Sequence, residues 1–553
     1  MSENRQIARA AGLVGFFTLI SRVGGLLRDS VMGYYFGTGI AADSFFVAFR
    51  IPNLLRRFVA EGAMSIALIP VFSDYVTNRS REEANEAMSV VGTLMTLFVG
   101  FLTLLGIAFA APLTRAFAPG FVDEPAKLDL TVTLTRLLFP YIFLVSIVAF
   151  LSGILNSVRH FAAPAMSPIF LNVAMIAAAF ASQWFAEPIV ILAWGVLAGG
   201  LVQVALQLPP ILRYGIRLRP QLNFGHEAVR RSLWLMAPTL FGAAVYQINV
   251  LVSTIFASML PSGSISYLWY ADRVNEFPLG VFAVALGTAA LPTLSAQASR
   301  QAYDEMWNSL SFSIRLNTFI NLPALVGIYA LAVPITNVLF VRGAFGPEQA
   351  LQTAWALKME VVGLWSVSMV RLLAPTFYAL GTTRVPVIAA AIAFVANILA
   401  ALALMGPVGG DQTFIGRLVA GATGLLGIAD LRHAGLALAT SIAATVNLTV
   451  LLIALRRRLP AMRLSETLPS ALRSAAASLA MVPAIEWIIA QIDWASSARF
   501  VTRVAVLGEA VVAGAVIYAA VALLLGSEEL KTLREIVARR LARRPGSARP
   551  DAG

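Results

Sequence analysis

The chain has 553 residues, 58% of them hydrophobic and only 13% charged, with a formal net charge of +12 and no cysteine. Charged residues at about half their usual share exclude a soluble globular enzyme and a disordered chain. Apolar runs that recur from end to end exclude a single-span receptor, and the missing thiols exclude disulfides, thiolate zinc sites and thiol catalysis.

The mean hydropathy is +0.78 and the isoelectric point about 10.3. About 20 apolar residues cross a bilayer, and by that measure the sequence predicts fourteen membrane helices in an all-α polytopic fold. In chain order they lie near 11–36, 43–74, 86–113, 130–157, 162–183, 188–212 and 231–258, then 264–297, 309–340, 350–379, 384–405, 434–455, 469–491 and 501–525. The N-terminal MSENRQIARAAGL lacks the short apolar core and small-residue cleavage site of a signal peptide. The first run is therefore expected to stay as a membrane helix.

An even number of spans puts both termini on one side. Most Lys and Arg fall in the connections on that side, which the positive-inside rule makes cytoplasmic. The densest clusters are Arg213–Arg231, Arg456–Arg458 with Arg463, and the C-terminal tail. The positive charge is thus read as topology rather than nucleic-acid binding. The tail SEELKTLREIVARRLARR carries an apolar stripe at Leu530, Leu533, Ile536, Val537 and Leu541. It suits a surface helix on anionic lipid, and equally a solvated tail.

Two halves echo each other. Pro70 in IALIPVFSDY and Pro292 in TAALPTLSAQ are 222 residues apart, as are Pro164 and Pro386, each following a short basic turn. The post-proline helices carry Asn172 and Asn397. The offset covers six helices, so both copies enter the membrane the same way up, and parallel repeats of this kind hold substrate near the midplane. The last two helices have no counterpart. The reading divides the chain into a six-helix lobe at 1–215, a linker at 216–230, a second lobe at 231–456, two extra helices at 468–526 and a basic tail at 527–553.

Arginine is costly inside a bilayer and normally faces a wet cavity or a partner. Ten cations fall within the expected spans: Arg22, Arg28, Arg50, Arg56, Arg57, Arg136, Arg273, Arg315, Lys358 and Arg371. Half of them crowd the first two helices, where Asp29, Asp43 and Glu61 are too few to neutralise them. Arg273, between Asp272 and Glu276, stands near the repeat position of Arg50 and brings a cation from the second half. The excess positive charge requires an anion, and the guanidinium fork matches phosphate oxygens.

His160, His226 and His433 form no metal-ligand spacing, and no metal site is expected. Carboxylate proton coupling is disfavoured because each intramembrane acid stands beside arginine. Asn172, Gln247, Asn249 and Asn397 are polar candidates for a sodium site that no spacing selects. No nucleotide-binding motif, paired catalytic carboxylates or nucleophile elbow is present, so the reading is a transporter without a cofactor, coupled to sodium or to the membrane potential.

SRVGGLLRD, ADSFFVAFRIPNLLRRFVAEGAMSIALIPVFSDY and YADRVNEFPLGVFAVALGTAALPTLS resemble the lipid II flippases of peptidoglycan synthesis, the MurJ or MviN family. The likeness runs along essentially the whole chain and places it in the multidrug/oligosaccharidyl-lipid/polysaccharide exporter superfamily. It implies alternating-access transport of a polyprenyl pyrophosphate-linked muropeptide across a bacterial inner membrane. It also implies two lobes in a V shape and a groove for the polyprenyl tail on the last two helices. By resemblance the substrate-binding arginines are Arg22, Arg28, Arg56 and Arg273, joined by Arg50 and Arg57 from the charge argument, with Asp29, Asp43 and Glu61 as supporting acids. The expected partners are lipid II and membrane lipids, with a monomer that acts alone or with cell-wall synthesis machinery. The alternatives are a flippase for another lipid-linked polysaccharide unit and, against the basic character of the cluster, a drug or cation antiporter. Residues 406–433 form a longer connection than the family leads one to expect.

Overall fold

The computed structural model describes residues 3–56, 63–280, 284–408, 413–494 and 499–531. Among these there are helices and turns, with isolated bridges but no strand. In chain order the helices are α1 (Glu3–Phe36), α2 (Ile40–Arg56), α3 (Ala63–Asn78), α4 (Arg81–Ala108), α5 (Ala110–Phe117), α6 (Pro125–Leu138) and α7 (Pro140–Ser157). Then come α8 (Ala162–Ala181), α9 (Pro188–Arg213), α10 (Glu227–Ser258), α11 (Ser264–Pro278), α12 (Val284–Ser299), α13 (Tyr303–Phe340) and α14 (Pro347–Val361). The chain continues through α15 (Leu364–Ala379), α16 (Arg384–Leu404), α17 (Phe414–Leu426), α18 (Arg432–Arg458), α19 (Leu468–Ala480), α20 (Val482–Ile489) and α21 (Phe500–Leu524).

Every expected span falls on helix within the described residues, but several are built from two pieces. Nine described segments are long and apolar enough to cross a membrane, or ten when α14 and α15 count as one span bent by 43°. Pieces such as α2, with 17 residues, and α11, with 15, are short by themselves. Length and composition therefore leave the number fourteen open. Prolines within α2, α3, α8, α11, α12, α13 and α15 are of the kind that soluble helices exclude but membrane helices tolerate. The start of α4 is locally encoded: Ser80 accepts the Glu83 N–H while the Glu83 carboxylate takes the Ser80 N–H, a reciprocal capping box.

By packing, the chain forms two compact units. One comprises Met1–Val274, Leu339–Ala356 and Phe394–Ala439, and the other Asn275–Val338, Leu357–Ala393 and Thr440–Gly553. This partition follows contact, whereas the six-plus-six division follows the repeat. Within the first unit α3 packs on α7, and within the second α12 packs on α15. The two cores correspond residue by residue. Phe72, Phe150, Leu151 and Leu155 fill the first, and Leu294, Leu372, Leu373 and Phe377, each 222 positions later, fill the second.

Asn172 and Asn397 extend the correspondence. In α8, Asn172 donates to the Ser21 carbonyl of α1 at 3.0 Å, and in α16, Asn397 donates to Asn249 of α10 at 2.6 Å. The polar residue after each repeat proline thus tethers its helix to the first helix of its own repeat. The last two spans pack on α13 through Phe319, Leu331, Met481, Ile485 and Tyr518, and the Tyr518 hydroxyl donates to the Phe319 carbonyl at 2.7 Å. The long connection at 406–433 contains the short apolar helix α17.

Candidate functional site

The centre of the site is Asp29, a fully buried carboxylate two turns before the end of α1. Arg28 grips it through Nε at 3.0 Å and Nη2 at 2.8 and 3.0 Å. The other guanidinium nitrogen of Arg28 donates to Asn172 Oδ1 at 3.2 Å. Gly24 packs against the same amide: a Cβ there would sit 3.4 Å from the Asn172 amide nitrogen, in van der Waals contact. From α11, Arg273 Nε reaches the opposite oxygen of Asp29 at 3.5 Å. One carboxylate therefore holds two arginines, and adjacent cations are tolerated because that anion lies between them.

Trp269 extends the cluster. The Arg273 guanidinium lies 4.7 Å from its ring centroid and the Arg50 guanidinium 5.5 Å. Phe46 stacks on the same indole at 4.5 Å and 18°. Arg50 also donates to Thr254 at 2.8 Å. The indole thus provides a neutral, electron-rich surface that keeps two cations close without neutralising either.

Asp43 is held separately. Its Oδ2 accepts the Gly263 N–H at 2.7 Å, and its Oδ1 accepts the Ser266 N–H at 3.0 Å and the Ser266 hydroxyl at 2.6 Å. In effect α2 supplies the N-terminal cap of α11 from across the fold. Lys127 of α6, almost fully buried, completes the group with Nζ 3.1 Å from Asp43 and 3.1 Å from Ser262 Oγ, and 4.3 Å from the Phe121 ring centroid.

The sequence-expected residues separate accordingly. Arg28, Asp29, Arg50 and Arg273 are brought together by contact. Arg22 lies on α1, half-buried, with no hydrogen bond or ion pair among the described residues. Arg56 bonds to Asn53 one turn earlier on its own helix. Arg57 and Glu61 lie outside the described residues. Of the other cations expected within spans, Arg136 and Arg371 are exposed, Arg315 pairs with Glu528 at 2.7 Å, and Lys358 lies 5.5 Å from the Tyr329 ring centroid. Sequence reasoning missed Lys127 altogether. The only available signal was a lysine two residues after the proline that opens a helix, and that pattern points to nothing by itself. Among the described residues no group of three or more His, Asp or Glu could hold a metal.

The family description "Lipid II flippase MurJ" matches residues 32–506. A probable lipid II flippase MurJ of Vibrio cholerae is 35% identical over 542 residues, covering 95% of this chain and 97% of its own. The lipid II flippase MurJ of Burkholderia cenocepacia is 33% identical over 521 residues, covering 92% and 96%. A solved lipid II flippase MurJ in an inward-closed conformation superposes with a TM-score of 0.72 at 25% identity, over 96% of this chain and 100% of that one. An inward-facing multidrug-resistance transporter of the MATE family shares the fold at a TM-score of 0.61 and 13% identity, over 80% and 95%.

Proposed function

The chain belongs to the lipid II flippase MurJ family, and on that premise we propose how its residues divide the work. It is a transporter rather than an enzyme, and it carries the polyprenyl pyrophosphate-linked peptidoglycan precursor from the cytoplasmic to the periplasmic leaflet by alternating access. The observation that carries the assignment of residues is the Arg28–Asp29–Arg273 group with Arg50 across Trp269.

A pyrophosphate is the ligand this arrangement suits. Asp29 organises two guanidinium forks, and its single charge does not cancel theirs. An incoming diphosphate competes with one carboxylate for donors that are already oriented, so little side-chain ordering remains to be done. The same carboxylate provides the route for release, since it reclaims the donors as the anion leaves. Arg22 and Arg56 stand on the same two helices as further cations for the head group, and Arg57 is assigned with them from the sequence alone.

The Asp43 group acts as a latch. With both termini in the cytoplasm, as the basic connections favour, the α1–α2 turn is periplasmic. Arg50 lies seven residues after Asp43 and Arg28 eight before the end of α1, which at 1.5 Å per residue places Arg50 about 10 Å inward of the latch and Arg28 about 12 Å inward of the α1 end. While Asp43 caps α11, the periplasmic ends of α2 and α11 are joined. Outward opening requires that cap to break, and the buried Lys127 holds the freed carboxylate in place for relatching.

Net negative charge moving outward is favoured by an inside-negative potential by about 2.3 kcal/mol per charge per 100 mV. We assign the drive to this potential, and no residue is assigned to sodium. The division into two repeats, two tail-binding helices and a basic tail is retained as the functional one. A monomer suffices for this cycle.

The test is binding of purified lipid II to the full-length protein in nanodiscs. Arg28→Ala and Arg273→Ala should each weaken retention about tenfold or more, the worth of a charge-assisted hydrogen bond. Unchanged retention in both variants would remove the assignment.

A further inference from the structure

The connection between the repeats is not slack. From Arg217 to Gln221 it runs extended along α4 and donates from alternate residues. The Arg217 N–H bonds Asn85 Oδ1 at 3.3 Å, the Arg219 N–H bonds Ser89 Oγ at 3.0 Å, and the Gln221 N–H bonds Thr93 Oγ1 at 3.0 Å. The three acceptors are four residues apart and share one face of α4. This alternation puts Arg217 and Arg219 on one side of the strap and Leu218 and Leu222 on the other.

The depth follows from the length of α4. Counting back about 20 residues, or about 30 Å, from Ala108 puts the hydrocarbon boundary near Ser89. The strap passes Ser89 and reaches Thr93, so Leu222 and Phe224 follow directly on a segment that crosses this boundary. They are 66% and 79% exposed. Trp234, on the second turn of α10, is 79% exposed as well.

A cleft of about 580 Å³ opens on the first two turns of α10, three residues further along the chain from Phe224, lined by Glu227, Arg230, Arg231, Leu233 and Trp234. Two of its charges are already matched: Arg231 pairs with Asp74 at 2.6 Å and Glu227 with Arg79 at 3.2 Å. Arg230, Arg217 and Arg219 are exposed, and their guanidinium groups have no partner among the described residues. The cleft and strap thus combine three uncommitted cations with three large apolar side chains.

We propose that this strap and cleft form a binding site for an anionic phospholipid of the cytoplasmic leaflet. The phosphate is taken by Arg230 at the cleft, Arg217 and Arg219 add positive charge along the strap, and an acyl chain lies over Trp234 and the neighbouring Phe224 and Leu222. The site holds the strap in the membrane surface, a position that basic topology by itself does not require. The choice of leaflet rests on the orientation proposed above. The site's chemistry does not, because a nanodisc offers the same lipid on both faces.

Because the chain has no cysteine, Phe224→Cys carries a single spin label in the full-length protein. Nanodiscs of phosphatidylcholine alone are compared with nanodiscs containing phosphatidylglycerol. The label should be reached by oxygen and shielded from a water-soluble nickel chelate only when phosphatidylglycerol is present. Co-purifying phosphatidylglycerol should fall about fivefold for each of Arg217→Gln, Arg219→Gln and Arg230→Gln. A label exposed to water in both bilayers, or equally shielded in both, overturns the proposal. Displacement of phosphatidylglycerol by millimolar inorganic phosphate, or by lipid II at equal mole fraction, would reassign the site to free phosphate or to the cargo and overturns it too. Wild-type transport with loss of phosphatidylglycerol preference in the three variants would separate this site from the transport cluster.

Discussion

The Asp43 carboxylate accepts the backbone N–H of Gly263 at 2.7 Å, a bond between residues 220 positions apart. It joins the second helix of one repeat to the matching helix of the other, and it buries an acid together with Lys127, at 1% and 2% side-chain exposure. Asp43→Asn keeps the shape but leaves the lysine only the more distant, half-exposed Glu124 at 3.9 Å, and removing one partner of a buried pair costs about 3–5 kcal/mol. The thermal midpoint of Asp43→Asn in detergent should therefore drop clearly. Asp43→Asn combined with Lys127→Met should recover much of the loss. A double variant as unstable as the single one would mean that the backbone cap, rather than the ion pair, dominates.

Asp29 separates binding from turnover. In Asp29→Asn, Arg28 and Arg273 lose the anion that competes with substrate. Retention of a pyrophosphate lipid should rise while transport falls, because release has lost its return partner. Isothermal binding and a reconstituted flipping assay on the same preparation read the two effects apart. Parallel loss of both would show that Asp29 only holds the arginines in place.

Gly37 links the α1–α2 turn to the turn between α13 and α14. Its φ is +56°, and a Cβ there would lie 2.5 Å from the Ala344 carbonyl oxygen. Gly37→Ala meets both the left-handed backbone penalty and a clash with main chain, so a loss of about 1–3 kcal/mol is expected. Chemical denaturation measures the loss, and Gly39→Ala, where φ is +127° but nothing lies within 4 Å, shows a backbone penalty with no clash.

Glu529 stands just beyond α21 and is only 4% exposed. Burial pushes its carboxyl up, but its own N–H, the hydroxyls of Ser527 and Ser470, and Arg315 together bring it below the ordinary glutamate value. A depressed carboxylate stabilises above its unfolded value and loses that contribution as pH falls through the folded one. The contact between the tail and α19 should hold at neutral pH and loosen only below the usual glutamate range. Glu529→Gln should cost about 1–2 kcal/mol at neutral pH and flatten that acid dependence. Limited proteolysis of the tail against pH measures both.

What the sequence disclosed was mostly what lies within one helix or one repeat. Hydropathy located the apolar spans, and the 222-residue offset proved to be a correspondence of core residues, Phe72 with Leu294 and Phe150 with Leu372. Excess arginine in the first two helices singled out Arg28 and Arg50, which the structure links to Arg273 through Asp29 and Trp269. The pairing was not legible. Arg28 and Asn172 are 144 positions apart, and no spacing rule relates them. Asp43 read as an acid for the arginines, yet its partners are the start of α11 and Lys127, because an uncapped helix end inside the fold leaves N–H groups that some acceptor must meet. The breaks between paired helices were equally hidden, since hydropathy is continuous across a bend.

The central claim is that this chain moves lipid II and that Arg28 grips its pyrophosphate. The direct measurement is leaflet-resolved lipid II in cells depleted of the protein and complemented with wild type or Arg28→Ala. Lipid II should accumulate in the inner leaflet and be cleared by wild type alone, with both proteins present in equal amount in the membrane. Clearance by Arg28→Ala at the wild-type rate would contradict the role of Arg28, and an unchanged distribution on depletion would contradict the cargo.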